Sequence, residues 1–479
     1  MTTAAATGAA TPDHSHRAPD EAHRGPGPSP VGLPALGAPR PVPPPDAATR
    51  TADNGLRVVA VRRPAVPLAE LRLHIPCGGG PAALGATAEV LSAGLLGGTA
   101  GPPALDRTAV DDRIADAGGR LTVRVDPEGL EVSGTVLADG LDAVLGVLGR
   151  CLAAPALDPA DVAAERTRLL RRIEVARGAP RHLAREALLL RAFGDHPITR
   201  ETPRAELVAA VETAAVARLA AERVVPRGAV LVLVGSGDPG AVADSACAAL
   251  AGWRSDHAVT RPTAPPALRT GPLTVAARPG ARQAQIRLAA DAPPRTDPDY
   301  EALVVANMVL GGYFSSRLVG ELRQRRGWTY QAQSHLWEHA GRRASLLVEF
   351  DTDPENAAAA LRATHEQLAA VAGTAPPTAE EVFAARSHAA GLTVLSLSGR
   401  RGLARLLVAL DRAGLDHRWL PGHLHRLRTV DPDAVRAAAR RLAPDRFTGV
   451  VAGDPAVLEP QTAGLPDGWA PDSGRSENA

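Results

Sequence analysis

Leu121-Thr122-Val123-Arg124-Val125, then Asp126-Pro127-Glu128-Gly129, then Leu130-Glu131-Val132-Ser133-Gly134-Thr135 reads as a strand, a tight turn and a second strand. Pro presets φ for a turn, Asp can bond the backbone just ahead, and Gly accepts unusual dihedrals. A helical stretch over 109–117 precedes the hairpin, and helical stretches over 140–152 and 159–177 follow it. The second half repeats the plan. Residues 111–173 and 319–392 both run helix, glycine-containing turn, two strands, helix, loop, helix. The loop before the last helix is Leu157-Asp158-Pro159-Ala160-Asp161-Val162 in one copy and Pro376-Pro377-Thr378-Ala379-Glu380-Glu381-Val382 in the other. In each, Asp or Thr can cap the helix and acidic residues suit its first turn. The sequence therefore predicts an α+β fold of two homologous lobes, each an antiparallel sheet with helices packed against one face.

Outward from the hairpin, order is expected to begin near Asn54-Gly55-Leu56, with strands over 57–61 and 69–75 around Pro64 and Pro67. A buried helix over 87–96 and an apolar strand over 229–234 complete the first lobe, with Gly235-Ser236-Gly237-Asp238-Pro239 leading into a helix. The expected domains are a disordered Pro/Ala-rich segment 1–45, a lobe 46–260, a Pro-rich linker 261–272, a lobe 273–457 and a disordered tail 458–479. His14, His16 and His23 fall in the first of these and are read as part of it.

At 479 residues the chain has room for more than one domain, and 45% hydrophobic residues suffice for sizeable cores. Only 3% are aromatic, so the cores must be built from Ala, Leu and Val. Every basic residue other than His is Arg, which reads as codon bias rather than function. A net charge of +1 with no long basic run argues against nucleic acid as a partner. Cys77, Cys151 and Cys247 are odd in number and far apart, which suggests neither a disulfide framework nor a Cys-rich metal site. There is no secretory pattern and no apolar run able to span a bilayer, so a cytoplasmic protein without a membrane partner is expected.

The second lobe carries the most specific signal. Pro279-Gly280-Ala281-Arg282-Gln283-Ala284-Gln285-Ile286 is followed by Asp297-Pro298-Asp299-Tyr300. Next come Leu310-Gly311-Gly312-Tyr313-Phe314-Ser315-Ser316-Arg317-Leu318 and Leu322-Arg323-Gln324-Arg325-Arg326-Gly327-Trp328-Thr329-Tyr330. In order, spacing and identity this resembles the C-terminal lobe of the pitrilysin/insulinase zinc peptidases. Asn54-Gly55-Leu56-Arg57-Val58-Val59, Gly98-Thr99, His196-Pro197 and residues 226–238 resemble first-lobe landmarks, so the resemblance covers about residues 50 to 455.

The resemblance implies half of a clamshell. Family members hold zinc on a His-x-x-Glu-His helix with a distant Glu. The two histidines lie one turn apart, and the intervening Glu activates the bound water. Counted back from Gly98-Thr99, the histidine positions fall on Glu89 and Ala93 and the base on Ser92; the third ligand falls on Arg171 or Arg172, near Glu174. Neither imidazole is present, and a guanidinium offers zinc no lone pair. The family's other element, an Arg and a Tyr that bind the substrate carbonyl and stabilise the oxyanion, matches Arg323 and Tyr330. Gly311, Gly312, Ser315, Ser316 and Arg317 are expected to border the bound substrate, the glycines by relieving backbone crowding or by turning the chain.

The resemblance thus predicts the non-metal subunit of a heterodimeric peptidase that cleaves short or unfolded peptides. No cofactor is expected in this chain; zinc is expected in a homologous partner. Two alternatives stand beside it: an inactive structural or assembly subunit, and a self-sufficient enzyme using His335-Leu336-Trp337-Glu338-His339, which spells the zinc motif literally. That run sits where the repeat demands a strand, on which residues four apart are roughly 13 Å from each other, so it is read as a polar strand with two exposed imidazoles. Arg323, Arg325 and Arg326 read as a solvated helix face, and His423 and His425 as part of a surface helix. Gly78-Gly79-Gly80 reads as a turn, since no Lys-Ser/Thr follows it.

Overall fold

The chain lays down the same set of apolar strands twice, in the same order. The computed structural model describes residues 42–466 and 468–470. The expected disorder of residues 1–41, with His14, His16 and His23, and of 471–479 lies outside the described residues. The first lobe contains β1 (Ala47–Thr51), β2 (Arg57–Arg62), β3 (Leu68–Pro76), α1 (Ala82–Gly94), α2 (Arg107–Asp116), β4 (Arg120–Asp126) and β5 (Gly129–Leu137). It continues with α3 (Leu141–Ala153), α4 (Pro159–Arg177), α5 (Pro180–Phe193), α6 (Ala205–Ala209), α7 (Thr213–Arg223), β6 (Val230–Gly235) and α8 (Pro239–Ala249). The second contains β7 (Thr274–Ala277), β8 (Ala284–Ala292), α9 (Tyr300–Asn307), β9 (Ala332–His339), β10 (Arg343–Thr352), α10 (Ala357–Ala369) and α11 (Ala379–Ser398). It ends with α12 (Arg400–Arg412), α13 (Trp419–Thr429), α14 (Pro432–Ala439), β11 (Thr448–Gly453) and α15 (Pro455–Thr462).

The sheets run β1-β2-β6-β3-β5-β4 and β7-β11-β8-β10-β9. Without the edge strand β1 the two orders coincide strand for strand. Pairing is antiparallel except for one parallel pair in each lobe, β2 with β6 and β7 with β11. The predicted hairpin joins β4 to β5, and Asp126 Oδ1 accepts from the N–H groups of Glu128 and Gly129 at 2.8 and 2.9 Å. The predicted caps form as well: Asp158 caps α4, and Thr378 and Glu381 make a reciprocal capping box on α11.

One expectation needs correction: helices cover both faces of each sheet. The lobes exchange a helix. α12 lies on β3 and β6 of the first lobe, and α5 lies on β8 and β11 of the second. Ala184, Leu188 and Ala192 of α5 meet Ala289, Leu347 and Val450; burying a leucine this fully contributes roughly 1.5–3 kcal/mol. The covered faces also carry paired charges, Arg72 with Glu131 at 2.6 Å in one and Arg287 with Asp351 at 2.7 Å in the other. Residues 261–272 hold neither helix nor strand.

The tail expected to be disordered from 458 is ordered through the last described residues. α15 extends to Thr462, and Trp469 is buried, its Nε1–H donating to the Pro444 carbonyl at 3.1 Å. It repeats Trp253, which follows α8, is equally buried and donates to the Val224 carbonyl at 2.9 Å. Asp238 and Asp454 cap α8 and α15, accepting from the N–H groups of Ala241 and Ala456. Burial of an indole with its N–H satisfied orders a Pro- and Gly-rich segment that composition alone assigns to disorder.

Candidate functional site

The segment between α9 and β9 departs from regular helix twice. α9 runs on into a π-helical turn over Met308–Gly312, and a second π-helical turn spans Val319–Arg325. Such turns are rare and often sit at functional sites. The glycine pair serves close packing: a Cβ on Gly311 would stand 2.7 Å from Ser334 Oγ and 3.0 Å from Leu318 Cδ1, and one on Gly312 would stand 2.7 Å from Met308 Sδ. Beneath them Asn307 Nδ2 donates to the Ser334 carbonyl at 3.2 Å, and Ser334 Oγ returns a bond to the Asn307 carbonyl at 3.3 Å. Gly327, at φ +65°, ends the second turn and aims the chain toward β9.

This backbone brings Arg323 and Tyr330 together on the surface. The Arg323 guanidinium carbon lies 5.2 Å from the centre of the Tyr330 ring and 5.0 Å from that of Phe314, two cation–π contacts. Tyr330 is 85% exposed and Phe314 61%. Among the described residues no carboxylate pairs with Arg323. Its neighbours differ: Arg325 and Arg326 both bind Glu321. Phe314 has no role in the sequence reading; a large aromatic in a glycine- and serine-rich loop is the signal that could have marked it.

The remaining site residues divide. Ser315 is exposed beside Phe314. Ser316 is buried, and its hydroxyl faces no partner. Arg317 is already committed: its Nε and terminal nitrogen each reach Glu381 at 2.7 Å, and a further N–H donates to the Ala375 carbonyl at 2.6 Å. Arg317 therefore ties the loop to the start of α11. The Arg317 guanidinium in turn holds the Glu381 carboxyl below its usual range.

In the first lobe, Glu89 and Ala93 sit a turn apart on α1, and the Ser92 hydroxyl between them donates to the Glu89 carbonyl at 2.8 Å. Burial raises the Glu89 carboxyl above its ordinary range, with Arg172 opposing. Arg171, Arg172 and Glu174 are exposed on α4. Two carboxylates on separate helices, a hydroxyl, a methyl group and two guanidinium groups, with no imidazole or thiolate among them, do not make up a zinc ligand set. Among the described residues no group of three or more His, Cys, Asp or Glu is placed to hold a metal ion.

The literal motif lies on β9. His335 is half-exposed with Nδ1 3.9 Å from Glu349, while Glu338 points to the opposite face, 3.4 Å from Arg295. His339 is buried, not exposed: its Nε2 is 2.9 Å from Ser345 Oγ, and burial, aided by Arg185, pushes it down to about 3. A strand separates the two imidazoles by two pleats, too far to share an ion. His423 is likewise buried, stacked on Trp419 and 2.9 Å from Glu301; only His425 is exposed on α13. Among the described residues no helix is long and apolar enough to cross a membrane.

Residues 212–388 match the family described as Peptidase M16 inactive domain. The chain is 29% identical over 423 residues to an uncharacterized zinc protease of Mycobacterium tuberculosis, covering 84% of this chain and 92% of that one. It is 27% identical over 402 residues to an uncharacterized zinc protease of Streptomyces coelicolor, covering 81% and 86%. The fold matches the crystal structure of a peptidase M16 inactive domain from Pseudomonas fluorescens with a TM-score of 0.76 at 22% identity, covering 85% of this chain and 98% of that one. A protease from Helicobacter pylori gives the same TM-score at 16% identity, covering 85% and 99%.

Proposed function

We propose that this chain, a relative of the pitrilysin/insulinase peptidases, is the non-metal half of a two-subunit peptidase acting on short or unfolded peptides. The observation that carries the reading is Arg323, without an acid partner among the described residues and held between the exposed rings of Phe314 and Tyr330, in a segment whose other arginines are bound to acids. A guanidinium with no acid of its own is available to a substrate carbonyl, and the aromatic faces fix its position without neutralising it. The Tyr330 hydroxyl can donate to the same oxygen. When water attacks the peptide carbon, charge grows on that oxygen, and both donors stabilise it more strongly than they do the ground state. β9 follows directly and is an edge strand, so an extended peptide can add to it through backbone bonds. The water, its activating base and the zinc would come from a homologous partner, because the matching first-lobe positions here hold Glu89, Ser92 and Ala93.

The test is hydrolysis of a quenched-fluorescent peptide by the assembly captured from native cells through this chain. Arg323→Ala and Tyr330→Phe are each expected to lower kcat by about 10²–10³, with subunit composition unchanged. Unchanged hydrolysis in both variants would instead assign the chain a scaffold role.

A further inference from the structure

The turn that carries Arg323 can be matched bond for bond with the first lobe. There the Gly119 N–H donates to the Ile114 carbonyl and the Gly118 N–H to that of Ala115, both at 2.8 Å. In the second lobe the Trp328 N–H donates to the Leu322 carbonyl at 2.9 Å and the Gly327 N–H to that of Arg323 at 3.2 Å. Gly118 and Gly327 have φ of +64° and +65°, and Ile114 and Leu322 are both buried. Each bond spans one residue more in the second lobe, the extra residue that a π-helical turn takes. Arg323 therefore stands where the first lobe has Ala115, an exposed position. The repeated fold asks for no large side chain there, and the backbone alone does not fix one.

An arginine side chain on a surface samples many rotamers unless something holds it. Acids hold its neighbours: Glu381 binds Arg317, and Glu321 binds Arg325 and Arg326. Arg323 has rings instead, and the Phe314 contact, at 5.0 Å, is the closer of the two. Phe314 carries no polar atom on its side chain, yet its ring stays largely in water beside this cation. The loop under it is pinned on both sides to α11: the Tyr313 ring lies 4.9 Å from that of His388, and Arg317 binds Glu381. Residues 96–121 of the first lobe contain no Phe, Tyr or Trp, so the repeated fold requires neither ring.

We infer that Phe314 is a positioning residue of the proposed reaction, whose ring holds the Arg323 guanidinium at the substrate carbonyl while leaving its charge intact. This deepens the proposed function and rests on it. An acid would hold the guanidinium as firmly but would neutralise the charge that the growing oxyanion needs. A π face attracts the cation without cancelling it. Tyr330 has a second task, donation from its hydroxyl to the same oxygen; Phe314 has only the contact.

The test uses the assembly captured from native cells through this chain and the quenched-fluorescent peptide. Phe314→Leu removes the π face and should lower kcat about three- to thirtyfold with KM changed by less than about twofold. Phe314→Tyr keeps the ring and should stay within about twofold of the wild type. Phe314→Glu supplies an acid and should fall at least as far as Phe314→Leu. With Arg323→Ala already present, Phe314→Leu should have no further effect. Wild-type kcat in Phe314→Leu, an equal loss in the Arg323→Ala background, or a Phe314→Tyr as slow as Phe314→Leu overturns the inference. Wild-type kcat in Phe314→Leu with a loss in Arg323→Ala leaves the proposed function standing without it; unchanged hydrolysis in Arg323→Ala and Tyr330→Phe removes both. A second measurement needs no activity: fluorine NMR of the full chain labelled with 4-fluorophenylalanine at its five Phe. The signal missing from Phe314→Leu should move in Arg323→Ala. A signal that stays in place shows the ring and the guanidinium apart in solution and overturns the inference whatever the kinetics.

Discussion

The two lobes share strand order, the parallel pair, the Asp caps and the buried tryptophan that closes each repeat, yet they differ wherever chemistry would take place. The helix at the matched metal positions, α1, is regular and carries Glu89, Ser92 and Ala93. Its counterpart α9 runs into a π-helical turn at the Gly311-Gly312 pair, and a second such turn holds Arg323. The duplicated core fixes the architecture, and the lobes differ in a handful of side chains outside it.

The largest expected effects probe what the lobes share. Trp253→Ala and Trp469→Ala should each destabilise by about 3–5 kcal/mol, read from denaturant midpoints. Equal losses confirm the repeat; a silent Trp469→Ala would break it at the last strand. Acid should act on both exchanged-helix contacts together. Burial, with Arg412 and Arg185 as the next causes, holds His74 and His339 below the ordinary histidine range, His339 at about 3. The unfolded chain then binds more protons, so stability is full above about pH 6.5 and is lost as pH falls toward 3. His339→Gln should flatten the fall of Tm between pH 6.5 and 4; an unchanged slope would contradict the burial of a neutral imidazole.

Smaller effects separate the site from its supports. Arg317→Ala should cost about 1–3 kcal/mol, since it strands a half-buried Glu381, and should lower Tm. Arg323→Ala should change stability by less than about 0.5 kcal/mol, because among the described residues Arg323 bonds to no acid and it rests on exposed rings. A large destabilisation by Arg323→Ala would reassign it from chemistry to structure.

Much of this was legible in the sequence, for identifiable reasons. The hairpin at Asp126–Gly129, the repeat and the capping of α4 and α11 follow from local patterns that the fold obeys. The family resemblance, Arg323 beside Tyr330 and the strand nature of 332–339 follow from order and spacing. The helix exchange does not: an apolar face on α5 or α12 says that the helix packs, not on which sheet. β1 escaped because Ala-Ala-Thr-Arg-Thr has no apolar period and owes its form to pairing with β2. Trp469, His339 and His423 escaped because burial of a single ring among polar neighbours is a tertiary fact. Arg317 matched the motif yet serves Glu381, a partner 64 residues away that spacing cannot reveal.

Zinc content of the chain, purified alone without a tag, before and after His335→Ala, tests the division of labour most directly. The account predicts no stoichiometric zinc in either sample. One zinc per chain, lost on that substitution, would contradict it and make the protein an enzyme in its own right.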